Sequence, residues 1–112
     1  ISAVTAACMM IRTEDFWNAG GFDETFQVAF NDIDLCMKVR AAGKKIVFTP
    51  YAELYHYESK SRGLEDTPEK VARFNKEIQI FERRWPDIMR DGDPYYNPNL
   101  TLKSQDFSLK RI

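Results

Sequence analysis

The stretch from Thr67 to Pro86 constrains the fold of this 112-residue chain most strongly. It opens with Thr67-Pro68, where a hydroxyl suited to capping a helix is followed by a proline suited to its first turn. Apolar residues then recur at helical spacing as far as Trp85. The stripe consists of Val71, Phe74, Ile78 and Phe81. The sequence therefore predicts a long amphipathic helix whose apolar face packs against the rest of the chain.

Two further helices are predicted before it. Residues 31–42 carry apolar side chains at helical spacing, and Gly43 closes the pattern. A shorter helix starts at Thr13, whose hydroxyl is a candidate cap, and ends at Gly20-Gly21. Two to three helices in all are expected.

Three apolar segments indicate short strands. Residues 45–49 and 52–57 have strand-like composition, and residues 3–11 suit a buried strand, although their periodicity also allows a helix. Residues 58–66 read as a charged loop, and residues 87–112 as an extended tail. Strands interleaved with helices predict an α/β fold with too few strands for a complete open sheet.

Composition excludes several classes of protein. Hydrophobic residues make up 44% and charged residues 29%, as in a soluble globular domain. A net charge of −1 gives no electrostatic footprint for nucleic acid, so no nucleic-acid partner is expected. No apolar run reaches membrane-spanning length. Cys8 and Cys36 lack a paired-cysteine motif, which favours buried free thiols over a disulfide.

The run Asn31-Asp32-Ile33-Asp34 is the main candidate for chemistry. Two carboxylates at a helix start suit capping and the helix dipole, with Asn31 or Asp32 as the N-cap. They also resemble a metal-binding Asp-x-Asp, although no further ligands are regularly spaced nearby. A third interpretation is a general base, because a carboxylate beside a cleft can accept the proton of an attacking hydroxyl. Spacing alone favours capping over the other two interpretations.

Several other residues each allow two interpretations. His56 is either a packed histidine or a ligand for a divalent metal ion. Lys60 and Arg62 belong either to a solvated loop or to a lid that neutralises a diphosphate. Aromatic side chains precede the aspartates, and they suit either a core or stacking on sugar rings. These are Phe16, Trp17, Phe22, Phe26 and Phe30.

The order of these motifs resembles a known family. It runs Ala6-Ala7-Cys8-Met9-Met10-Ile11-Arg12, Gly20-Gly21-Phe22-Asp23-Glu24, Asn31-Asp32-Ile33-Asp34-Leu35, His56-x-x-Ser59 and Asp93-Pro94-Tyr95-Tyr96-Asn97-Pro98. This order is similar to the C-terminal half of inverting family 2 glycosyltransferases with the GT-A fold, especially bacterial rhamnosyltransferases and O-antigen enzymes. The resemblance covers nearly the whole chain.

The resemblance implies roles for matching residues. Asp32 would be the general base that deprotonates the acceptor hydroxyl. His56 would help to hold Mn²⁺ or Mg²⁺, and Lys60 and Arg62 would lie in the loop that closes over the donor diphosphate. The predicted acceptor-binding set consists of Trp17, Gly20, Gly21, Asn31 and Asp34.

The resemblance also implies a partial GT-A fold. Residues 1–112 would form the acceptor-side portion of the transferase domain, with the N-terminal nucleotide-binding half missing. The expected partners are a nucleotide-sugar donor and a glycan or lipid-linked acceptor, in the cytoplasm or at the inner face of the cell membrane. The chain alone should be nearly inactive and should form a dimer or swapped oligomer through an exposed sheet edge. The alternative is a non-catalytic carbohydrate-binding or interaction module in which Asp32 only caps its helix.

Overall fold

A computed structural model describes residues 1–27, 29–57 and 67–111 of the chain. This part of the chain contains four α-helices and one short 3₁₀ turn at Ala6–Cys8. The helices are α1 (Thr13–Asn18), α2 (Asn31–Ala41), α3 (Pro68–Arg84) and α4 (Pro86–Asp91).

Helix α3 forms as predicted. Thr67 is its N-cap, and its side chain accepts a 3.2 Å hydrogen bond from the backbone N–H of Lys70. Pro68 occupies the first turn, where its missing N–H costs nothing. The helix stops at Arg84 because Trp85 leaves helical geometry and Pro86 begins α4.

The first two helices are confirmed, but their predicted N-caps are wrong. Helix α1 has Arg12 at its N-cap and α2 has Phe30, and neither side chain caps its helix. Thr13 lies inside α1. The prediction that glycines follow the C-terminal ends of these helices is confirmed. Gly20 and Gly43 have φ of 87° and 85°, a conformation that favours glycine.

The predicted α/β fold, a partial GT-A fold with mixed short strands, is wrong. The residues that the structure describes form no sheet, and a single isolated bridge pairs Leu100 with Leu109. Segments 3–11, 45–49 and 52–57 are not strands, because a strand needs a neighbour to satisfy its backbone groups. One main-chain hydrogen bond of 3.3 Å, from the N-terminus of Ile1 to the carbonyl of Ile46, replaces the expected ladder.

The core is small and lies between α2, α3 and the loop that joins α1 to α2. Its buried apolar side chains are Phe26, Cys36, Met37 and Phe81. The ring of Phe30 stacks on Phe81 at 5.4 Å and meets Phe26 edge-on at 6.5 Å. This packing fixes the loop before α2, and with it the start of that helix.

The tail predicted over residues 87–112 begins with helix α4 instead. Pro86 sits in the first turn of that helix, a position that proline favours, and Gly92 ends it with φ of 80°. Further on, the Ser2 hydroxyl donates a short hydrogen bond to Asp93. The Arg40 guanidinium lies 5.4 Å from the centre of the Tyr95 ring. The chain after α4 therefore docks against both the N-terminal segment and α2.

The two cysteines are free, but only one is buried. Cys36 is buried in the core and its Sγ lies beside the backbone of Val4, whereas Cys8 is exposed. Burial raises the pKa of the Cys36 thiol, which keeps it protonated and unreactive. The prediction of two buried thiols is therefore wrong for Cys8, because the 3₁₀ turn that replaces the expected strand leaves that side chain in solvent.

Candidate functional site

The first turn of α2 begins from an unusual backbone. Phe30 has φ of 67°, a left-handed conformation that bulky residues rarely adopt. The Asn31 Oδ1 accepts a 2.7 Å hydrogen bond from the N–H of Asp32, and the Asp32 Oδ1 accepts one of 2.9 Å from the N–H of Ile33. These polar side chains therefore serve two of the N–H groups that the start of a helix leaves unpaired.

The second oxygen of Asp32 contacts the N-terminal segment. Its Oδ2 accepts a 3.0 Å hydrogen bond from the N–H of Ala6, at the start of the 3₁₀ turn. Asp32 is partly buried and makes no ion pair among the described residues. A carboxylate offers about four lone-pair directions, so two N–H donors leave room for a further hydroxyl.

Asp34, two residues later, is completely buried with 0% of its surface exposed. The indole Nε1 of Trp85 donates a 2.8 Å hydrogen bond to it, and the Arg84 Nη1 lies 3.2 Å from both carboxylate oxygens. Lys38 completes the set at 3.1 Å. Because protein donors occupy this carboxylate on all sides, its contacts favour support of the local geometry over direct contact with an acceptor.

Arg84 also joins α3 to the Gly-Gly-Phe-Asp element. Its Nη1 lies 2.6 Å from Asp23 Oδ2, and its guanidinium lies 5.1 Å from the centre of the Phe26 ring. Hydrogen bonds from Thr25, and then from Arg84, hold the pKa of Asp23 well below its usual range. Burial lowers the pKa of Arg84, but the hydrogen bonds to Asp23 and Asp34 more than offset this and raise it. Arg84 is therefore charged and shared between two carboxylates.

Glu77 is the residue at this site that the sequence analysis missed. It lies in the middle of α3 with 2% of its surface exposed. Its carboxylate accepts hydrogen bonds from the N–H groups of Gln27 at 2.5 Å and Ala29 at 3.2 Å. A signal was present in the pattern, because Glu77 lies three residues after Phe74 and four before Phe81, within the apolar stripe.

The aromatic and glycine members of the predicted acceptor set lie together at the end of α1, with Trp17 in its last turn and the two glycines just after it. Trp17 is 68% exposed, and its ring meets Phe16 edge-on at 5.0 Å. Gly21 has φ of 68°, and a Cβ at that position would lie 3.4 Å from the Phe16 ring, whereas a Cβ at Gly20 would meet nothing within 4 Å. Both glycines are explained by their backbone angles.

Of the predicted donor-side residues, the structure describes His56. Lys60 and Arg62 lie outside the described residues. His56 is exposed, and the described part of the chain contains no group of three or more histidine, cysteine, aspartate or glutamate side chains placed to hold a metal ion. A single imidazole does not complete a site for Mn²⁺ or Mg²⁺, which prefer several oxygen ligands.

Comparison with known proteins gives the family. The chain is 59% identical over 96% of its length to an uncharacterized protein of Sinorhizobium fredii. It is 41% identical over 97% of its length to the O-antigen biosynthesis protein RfbC of Myxococcus xanthus. It is also 32% identical over 70% of its length to the N-acetylglucosaminyl-diphospho-decaprenol L-rhamnosyltransferase of Mycobacterium tuberculosis. The chain belongs to the same family as the matching segments of these rhamnosyltransferase and O-antigen biosynthesis proteins.

The chain spans only a small share of these family members. It covers 12% of the Sinorhizobium protein, 8% of the Myxococcus protein and 25% of the Mycobacterium protein. No family model and no solved structure matches it. In the described residues, no helix has both the length and the apolar character needed to cross a membrane.

Proposed function

We propose that this chain supplies the acceptor-activating part of a glycosyltransferase, with Asp32 as the general base. One contrast supports this assignment. Asp34 is buried among Trp85, Arg84 and Lys38, whereas Asp32 is partly exposed and, within the described part of the chain, accepts hydrogen bonds from backbone N–H groups alone. Of the two carboxylates in the motif, Asp32 is the one with capacity to accept a proton from a substrate.

The proposed reaction is a single displacement. The acceptor hydroxyl gives its proton to the Asp32 carboxylate as its oxygen forms a bond to the anomeric carbon of the donor sugar. The bond from that carbon to the diphosphate breaks, and the nucleoside diphosphate leaves with the electron pair. Attack from the face opposite the leaving group inverts the anomeric configuration, as in the inverting family 2 enzymes that the sequence resembles.

We propose a nucleotide-sugar as donor and a glycan or lipid-linked hydroxyl as acceptor. The name of the Mycobacterium relative gives its acceptor as N-acetylglucosaminyl-diphospho-decaprenol and its sugar as L-rhamnose. Such acceptors would place the protein in the cytoplasm or at the inner face of the membrane. His56 remains a candidate ligand for a divalent metal ion, and Lys60 and Arg62 remain candidates for contact with the donor diphosphate. No step proposed here depends on the metal.

Because the chain spans a small share of its relatives, we propose that the residues that bind the base and ribose of the donor lie elsewhere in the complete protein. The 112-residue chain alone should then transfer sugar at a negligible rate. Robust turnover of a nucleotide-sugar by the purified chain would overturn this part of the proposal.

Asp32→Asn in the complete protein that carries this segment tests the role of the base. We expect a fall in kcat of about 10²–10⁴-fold, because the carboxamide keeps the shape of the side chain but does not accept the proton. Asp87→Asn, at an exposed position of α4, is the matched control and should leave the rate unchanged. Circular dichroism should show that both variants are folded.

A second candidate function is a non-catalytic carbohydrate-binding or interaction module. The exposed ring of Trp17 favours it, since exposed aromatic faces stack on sugars. This alternative predicts that Asp32→Asn leaves the transfer rate nearly unchanged and that Trp17→Ala weakens glycan binding by the isolated chain. Titration of the chain with oligosaccharides, followed by tryptophan fluorescence, measures that binding.

A further inference from the structure

Glu77 is a buried carboxylate that the proposed reaction does not use. Burial of a charged group is costly unless hydrogen bonds compensate it. Here the compensation comes from the backbone N–H groups of Gln27 and Ala29, in the loop immediately before α2. An apolar residue at position 77 would fill the space but would leave those two N–H groups without their acceptor. The contacts of Glu77 therefore define the shape of that loop.

The loop needs this support because it ends in a strained residue. Phe30 has φ of 67°, and such a conformation in a bulky residue persists only where its surroundings hold it. Helix α3 also holds the side chain, since the Phe30 ring lies 5.6 Å from Phe74 and 5.4 Å from Phe81. Glu77 lies between these two phenylalanines on the same face of α3.

The same helix holds α2 on the other side of Asp32. Arg84, at the end of α3, and Trp85, which follows it, bind the carboxylate of Asp34. Asp32 therefore lies between two points of the chain that α3 fixes, the loop at Ala29 and the first turn of α2 at Asp34.

We propose that Glu77 is a positioning residue for Asp32. It fixes the loop from which Phe30 and α2 start, and thereby sets the direction of the Asp32 carboxylate. The expected effect of Glu77 on the rate rests on the proposed role of Asp32 as the base. The expected effect of Glu77 on the geometry of Asp32 does not rest on that role. A displacement of about 1 Å at a reacting group can lower a rate by about 10²-fold.

Glu77→Gln tests the geometric part in the 112-residue chain. A carboxylate has an acceptor oxygen for each of the two N–H groups, whereas a carboxamide has one oxygen and turns its NH₂ group toward the other donor. The readout is the amide signal of Ala6 in ¹H–¹⁵N NMR spectra, because that N–H is bonded to Asp32 and lies outside the loop that Glu77 holds. Glu82→Gln, on the exposed side of α3, is the matched control.

We expect the signals of Ala6, Gln27 and Ala29 to shift in Glu77→Gln and to stay in place in Glu82→Gln. An unmoved Ala6 signal beside shifted Gln27 and Ala29 signals would overturn the proposal, because Glu77 would then stabilise the loop without positioning Asp32. If Glu77→Gln does not fold, Glu77→Asp replaces it; it keeps both acceptor oxygens but withdraws them by one methylene. The same Ala6 criterion then decides.

Activity of the complete protein gives the second readout. Glu77→Gln should lower kcat by about 10–10²-fold and leave the KM for the donor unchanged, since the donor does not contact the loop in this scheme. A purely structural role would lower the amount of folded enzyme and leave kcat per folded molecule unchanged, which would overturn the inference. Failure of the base itself is recognised separately, because Asp32→Asn would then keep its rate whatever the Ala6 signal shows.

Discussion

The indole Nε1 of Trp85 donates a hydrogen bond of 2.8 Å to Oδ1 of Asp34, which lies 51 positions earlier in the chain. With Arg84 and Lys38 it surrounds a carboxylate that has no exposed surface. This relationship ties the end of α3 to the first turn of α2. It also distinguishes the two aspartates of the motif. Protein donors surround the Asp34 carboxylate, whereas Asp32 is partly exposed.

Trp85→Phe should therefore lower the free energy of unfolding by about 1.5–3 kcal/mol. The change keeps an aromatic ring but removes one hydrogen bond to a charged, buried group. Trp17→Phe is the matched control, because Trp17 is largely exposed and its loss should stay within about 0.5 kcal/mol. Urea denaturation followed by far-UV circular dichroism measures both; equal midpoints for the two variants would contradict the contact.

Asp23 should give the chain an acid-sensitive component of stability. Its folded pKa lies below its unfolded value of about 3.9, so its contribution is complete above about pH 4 and is lost as the pH falls toward the folded pKa. Asp23→Asn should lower the free energy of unfolding by about 1 kcal/mol at pH 7, a figure reduced for the partial exposure of the Asp23–Arg84 pair. The difference should shrink below pH 4 in urea titrations run at several pH values. A difference that is independent of pH would contradict this origin.

The N-cap of α3 should contribute measurably to stability. Thr67→Ala removes the hydroxyl that accepts from Lys70 and should lower the free energy of unfolding by about 1 kcal/mol. Thr13→Ala is a useful comparison, because Thr13 is the first residue inside α1 rather than its cap. It should change the free energy of unfolding by about 0.5 kcal/mol or less. A larger loss for Thr13→Ala would support the cap predicted from the sequence instead.

The accuracy of these sequence-based expectations follows from how local each interaction is. Helix α3 is predictable because its cap, its proline and its apolar stripe all lie within the segment itself. The composition of residues 45–49 and 52–57 predicts strands, but a strand also needs a partner, and composition does not specify one. The predicted N-cap of α2 is wrong for a related reason, since the packing of Phe30 against α3 decides where that helix begins.

The same distinction between local and distant interactions applies to the candidate site. The Asn-Asp-Ile-Asp run is visible in the sequence, and so is its position at a helix start. The distinct environments of Asp32 and Asp34 are not, because Trp85 and Arg84 create them from about 50 residues away. Glu77 was overlooked because a single acid in an apolar stripe is usually exposed at its edge, and only its bonds to the distant loop explain its burial.

We expect the chain to self-associate through the surface of residues 44–57. The sheet edge first predicted to drive it is not found among the described residues, yet this segment exposes large apolar side chains in series. They are Val47, Phe48, Tyr51, Leu54 and Tyr55. A run of exposed apolar groups favours contact with a second apolar surface, so we expect the purified chain to form dimers or larger species as its concentration rises.

Phe48→Ser combined with Tyr55→Ser should shift the population to monomer, whereas Leu102→Ser, which removes an exposed apolar group elsewhere, should not. Sedimentation velocity over a series of concentrations measures this, and a single monomeric species at every concentration would contradict it.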